Sequence, residues 1–143
     1  MEKSENKDIQ SQEEIKQEYI YLTKQTLKKL HKTYNKLYFE GKLHRADFGY
    51  LYDFNDKDTY GVYIGRRSRK DKTPLIKINH DNKWTEESLR FTLIHEMIHQ
   101  YIYECMGGCL RPHGRKFKKV CKIFKEKYGI IIEKYFPKKY IIK

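Results

Sequence analysis

The chain has 143 residues, enough for one domain whose core holds without cross-links. Its three cysteines, Cys105, Cys109 and Cys121, are too few and too irregular for a disulfide-stapled secreted domain, and its apolar runs are too short for a transmembrane helix. Lys and Arg number 31 against 19 Asp and Glu, a net charge of +12; residues 1–18 carry −3, whereas residues 111–143 set twelve basic side chains against Glu126 and Glu133, a net +10 that attracts polyanions. The first residues lack an apolar signal region, so the expectation is a monomer in a reducing cytoplasm with no membrane partner.

Residues 1–12 are polar and acidic and read as a disordered or frayed tail ahead of a single domain over 13–143. From Glu13 to Phe39 apolar residues recur mainly every three or four positions (Ile15, Tyr19, Leu22, Leu27, Leu30, Tyr34, Leu37, Tyr38), which predicts a long helix stopped by Gly41. Three runs of strand character follow, Phe48–Phe54, Tyr60–Ile64 and Leu75–Asn79, and their spacing predicts a small antiparallel meander. Thr85 then reads as an N-cap, with Glu86 and Glu87 in the first turn of a helix that is apolar nearly all round, hence buried and central. Trp84 reads as a hydrophobic staple beside that cap. Gly107-Gly108 ends this helix, and a third is predicted from His113 to Tyr128, with Phe117, Val120, Cys121, Phe124 and Tyr128 as its core stripe and lysines over the rest. Ile130–Ile132 and Tyr140–Ile142 fit either strands or docked tail segments.

The chemistry lies in His95-Glu96-Met97-Ile98-His99 on the central helix. Two histidines four apart stand on one helical face and can meet one Zn²⁺ at about 2.0–2.1 Å. Glu96, rotated by about 100°, projects beside that face, where it can reach a water held by the metal without ligating the metal itself. Burying two His and a Glu without compensation would cost several kcal/mol. The competing reading is a pair of hydrogen-bonded core histidines beside a salt-bridged Glu.

A catalytic zinc site takes a third protein ligand and keeps an open position. A glycine three residues and a histidine six residues beyond the second His would complete one known arrangement, but Ile102 and Cys105 stand there. Glu104 lies about 140° round the helix from His99 and points elsewhere. His113 follows the glycine break and a short loop, so a helix packing back on the first can present it to the metal.

The motif His95-Glu96-Met97-Ile98-His99, followed by Gly107-Gly108 and His113-Gly114-x-x-Phe117, resembles the SprT-like family of zinc metalloproteases. The stretch Tyr34-Asn35-x-x-Tyr38-Phe39-x-Gly41-x-Leu43 and the Leu93-Ile94 pair before the motif resemble the same family, over residues 20–135. The resemblance implies zinc held by His95, His99 and His113, Glu96 as general base, and a protein or peptide substrate. The family includes Spartan-type proteases, which act on proteins trapped on DNA. The chain lacks the paired Cys-x-x-Cys ribbon and the long regulatory tail that many members carry, so it reads as a minimal protease domain.

The fold expectation is therefore α+β: a long N-terminal helix, a small three-stranded antiparallel sheet, a zincin-like HExxH helix and a following basic helix. DNA contact is expected through the C-terminal basic region, with Lys116, Lys118, Lys119, Lys122 and Lys125 as the contacting residues. Arg66, Arg67, Arg69 and Lys70 form a basic loop that reads as a solvated turn. His31, His44 and His80 read as surface or loop residues, and Cys105 and Cys109 as packing residues. Arg115 and neighbouring tyrosines are the candidates for stabilising a transition-state oxyanion. The alternatives are a nucleic-acid-binding module with structural zinc, for example closed by Cys109, and a zinc hydrolase of a non-peptide substrate.

Overall fold

The computed structural model describes residues 18–65 and 70–142. The expected tail over 1–12, the start of the expected first helix, the three arginines of the basic loop and Lys143 lie outside the described residues. The elements in chain order are helix α1 (Lys24–Tyr38), strand β1 (Asp47–Leu51), a one-turn helix α2 (Asp53–Asp56), strands β2 (Gly61–Ile64) and β3 (Leu75–Asn79), helices α3 (Glu86–Cys105) and α4 (Arg115–Tyr128), and a 3₁₀ turn (Lys138–Tyr140). No helix among them is long and apolar enough to cross a membrane.

α1 is shorter than the periodicity predicts. The Thr23 hydroxyl accepts from Thr26 N at 3.0 Å and caps the helix, while Ile20 ahead of it bridges to Trp84 instead of joining the helix. A local cap outcompetes a continuous apolar pattern when the upstream residues have a partner elsewhere. Leu27, His31 and Tyr34 form the buried face. At the far end, Asn35 O accepts from both Phe39 N and Gly41 N, and Gly41 takes a φ of 70° that side chains resist. The Asn35 side chain then clamps Leu43 through two hydrogen bonds, 2.9 and 3.1 Å. Asn35, Gly41 and Leu43 thus work together as a helix stop.

The sheet is mixed, not the antiparallel meander its spacing suggests. Its order is β1-β3-β2, with β1 parallel to β3 and β2 antiparallel to it. Ile76 and Ile78 of β3 are fully buried, so this strand takes the centre and the other two flank it. Placing β3 between them makes the β1-to-β3 connection a crossover through α2 and β2, which yields the parallel pair. Asn79 ties off the centre: its amide donates to Asp53 Oδ1 and Thr59 O, its Oδ1 accepts from Asp81 N and Asn82 N, and its carbonyl accepts from Trp84 Nε1.

Trp84 is almost wholly buried and leads into α3, whose start carries a capping box between Thr85 and Ser88. α3 crosses the core between α1, the sheet and α4, with twelve of its 20 residues buried. Gly107 and Gly108, at φ of 74° and 77°, turn the chain back, and Gly108 N returns to Ile102 O. α4 buries Phe117, Val120 and Phe124 and ends at Gly129 in a left-handed cap. The chain beyond it is a docked segment, with Ile132 buried and Phe136 stacked on Tyr60 at 3.9 Å.

His31 is not a surface residue. It is 3% exposed, and its Nε2 lies 2.8 Å from Gln100 Oε1 on α3; Gln100 Nε2 donates onward to His44 O and Glu104 Oε2. Burial lowers the proton affinity of His31 below its ordinary value near 6.5, against the opposing pull of Gln100 and Glu104. The unfolded chain therefore takes up this proton more readily than the folded one, so the contribution of His31 to stability is present above about pH 6.5 and is lost as the pH falls below it. His31→Gln retains a side-chain amide that can donate to Gln100 and cannot titrate. Urea unfolding from pH 7 to pH 5 should show wild type losing stability relative to this variant; a constant difference across that range would contradict the assignment.

Candidate metal centre

α3 and the loop after it build the site. His95 and His99, one turn apart, face the same cleft with ring centroids 5.0 Å apart. The reversal at Gly107-Gly108 brings His113 back to them just before Gly114, the N-cap of α4. A β-carbon on Gly114 would press to 3.2 Å against both the backbone and the side chain of Arg111, so the tight approach that aims His113 favours glycine. His113 Nε2 lies 3.1 Å from Nε2 of His95 and 3.2 Å from Nε2 of His99. Nitrogens around one tetrahedral zinc, each about 2.0–2.1 Å from it, lie about 3.3 Å from one another. The three rings are thus spaced as ligands of one ion.

Their protonation agrees. His95 Nδ1 lies 2.8 Å from the carbonyl of Glu133, and a carbonyl only accepts, so Nδ1 carries the hydrogen and Nε2 turns a lone pair toward the cluster. Burial, reinforced by His99 and His113, takes the His95 pKa down to about 3. Burial and then His113 take His99 to about 4, and burial together with Lys134 lowers His113. All three are neutral at pH 7, the form that ligates metal. The Phe117 ring lies 4.8 to 5.1 Å from all three imidazoles, forming an apolar floor that fixes their planes.

Glu96 is 6% exposed beside this cluster, and burial raises its pKa to about 8. An open cleft of about 510 Å³ is lined by the three histidines, Glu96, Tyr60 and Phe136 among others. A second cavity of about 360 Å³ shares Glu96 and His99 and extends to Tyr63, Tyr103 and Cys109. The expected constellation of His95, Glu96, His99 and His113 is therefore brought together.

A family model matches residues 27–137. The chain belongs to the SprT-like family. A search of curated proteins finds no match. The SprT-like match runs from the first buried turn of α1 to the segment beside His95, so every residue of the cluster falls inside it.

Other expected residues are placed elsewhere. Glu104 accepts from His44 N and Gln100 Nε2, away from the cluster. Cys105 and Cys109 are exposed and outside it, and Arg115 lines a hollow with the Gly107–Arg111 loop. Lys118, Lys119, Lys122 and Lys125 are exposed on α4, with Lys122 4.0 Å from Glu126. Lys116 is half-buried and donates to the carbonyls of Met106 and Gly108 at 2.7 and 2.5 Å, capping the end of α3. Sequence reasoning missed Glu133, which contributes a backbone oxygen and so leaves no side-chain signal. It also missed the cleft wall formed by Lys134, Tyr135 and Phe136.

Proposed function

We propose that this SprT-like domain is a zinc-dependent endopeptidase in which His95, His99 and His113 hold the metal and Glu96 is the general base. The observation that carries this reading is the three-nitrogen pocket beside a buried carboxylate, open to a cleft of about 510 Å³. Zinc bound there supplies Lewis acidity, which acidifies water and polarises the scissile carbonyl. Glu96 takes the proton of the attacking water and returns it to the leaving amine. Burial favours the protonated form of Glu96, which helps the carboxylate to take the water's proton and to hold it until the amine leaves. Tyr60 and Phe136 wall the cleft and help to exclude water, while Phe117 and the Glu133 carbonyl hold the imidazoles in place.

The number of donors supports an enzyme over a structural zinc module. Among the described residues the cluster contains three donors, which leaves a coordination position for water or substrate. Cys109, the residue that would close the site, is exposed and outside the cluster. Glu96→Gln should fold and retain metal yet lose at least about a hundredfold in the rate of peptide hydrolysis. Wild-type turnover in that variant would remove Glu96 as the base.

Substrates bound to DNA are proposed on charge. The outer side of α4 exposes Lys118, Lys119, Lys122 and Lys125 in the segment that carries net +10. Such a surface binds phosphates with little sequence preference by releasing counterions. Changing Lys118, Lys119 and Lys122 to Gln should weaken binding of a DNA oligonucleotide and flatten its salt dependence by about one unit for each phosphate no longer neutralised. Cleavage of a short unstructured peptide should be unchanged. DNA affinity equal to wild type would make this side of α4 a solvated lysine surface.

A further inference from the structure

Gly61 opens β2 opposite Ile78, on the sheet face that packs against α3. Its backbone lies outside the left-handed region, so no turn or strained φ calls for glycine here. Space does. A β-carbon at Gly61 would lie 2.9 Å from Thr92 Cγ2, closer than side chains pack, and 3.0 Å from Glu96 Oε2 and 3.2 Å from Glu96 Cγ, tight enough that the Glu96 side chain would have to give way. Gly49 of β1 offers a contrast, because a β-carbon there would meet its nearest neighbour, Lys77 Cγ, at an ordinary 3.4 Å.

The Glu96 carboxylate has unusual need of such a contact. It is 6% exposed, and no hydrogen bond or ion pair among the described residues holds it. Its orientation therefore depends on what it packs against. On one side that is its own helix, and on the other it is the bare backbone of β2 at Gly61.

We infer that Gly61 is a positioning residue for hydrolysis: by lacking a side chain it lets β2 close over α3 and sets the Glu96 carboxylate at the edge of the metal cleft. The inference rests on the reading of Glu96 as the base. A purely structural role for Gly61 would act instead through its tightest neighbour, the Thr92 methyl, and the two roles separate experimentally. Thr92→Ser deletes that methyl and leaves the Glu96 contact in place.

The test compares zinc-loaded wild type, Gly61→Ala, Thr92→Ser and the double variant by peptide kinetics, zinc content and crystal structures. Gly61→Ala should retain stoichiometric zinc, lower kcat about tenfold or more with KM within about twofold, and show the Glu96 carboxylate displaced. The double variant should keep the kcat defect when measured against Thr92→Ser, and it carries the comparison if Gly61→Ala alone does not fold. An unmoved carboxylate in Gly61→Ala, or recovery of kcat in the double variant, would overturn the positioning role. Should wild type prove inert on peptides, the proposed peptidase function fails, while the crystallographic comparison still decides whether Gly61 places the carboxylate.

Discussion

Three imidazoles can share so small a space only while no more than one of them is charged. Nitrogens at 3.1 and 3.2 Å would repel strongly if two of the rings carried a proton, and the burial of His95 with the partial burial of His99 and His113 limits the water that would screen them. The fold maintains neutrality by burying His95, half-burying His99 and His113, and fixing the His95 tautomer through the Glu133 carbonyl. A cation satisfies all three lone pairs at once. The same burial acts in the opposite sense on Glu96, which it makes reluctant to lose a proton. A single environment therefore keeps the imidazoles neutral and favours the protonated form of the Glu96 carboxyl.

The scaffold can be understood as support for that environment. α3 is apolar nearly all round, so it has partners on every side: α1, the sheet, α4 and the docked C-terminal segment. Asn79 and Trp84 fix its start relative to the central strand. Gln100, held between His31, His44 and Glu104, fixes its second half. The glycine turn and the Lys116 cap fix its end, and with it the return of His113. Phe117, one turn into α4, couples the packing of that helix to the planes of all three rings.

Much of the site was legible because it depends on local geometry. Helical spacing alone places His95 and His99 on one face, and two glycines followed by a short loop bring His113 back. The sheet was less legible, since alternation identifies strands but not neighbours. The parallel β1–β3 pair follows from β3 being the most buried strand, which emerges only when helices cover the sheet. His31 read as a surface residue because its partner, Gln100, is 69 positions away. The N-terminal helix was overextended because Ile20 finds a strand-like partner in Trp84, again distant in sequence. The Glu133 carbonyl could not be read at all, because every residue has one.

A three-histidine site preset for one ion, with a position left open, has a characteristic zinc coordination shell. X-ray absorption at the zinc edge, on protein loaded with one equivalent of zinc, tests it most directly. The spectrum should show three imidazole nitrogens at about 2.0–2.1 Å, a light oxygen atom completing the shell, and no sulfur. Extended X-ray absorption of His95→Ala, His99→Ala and His113→Ala should each show one imidazole fewer. A sulfur scatterer at about 2.3 Å would bring a cysteine into the shell and contradict the open site.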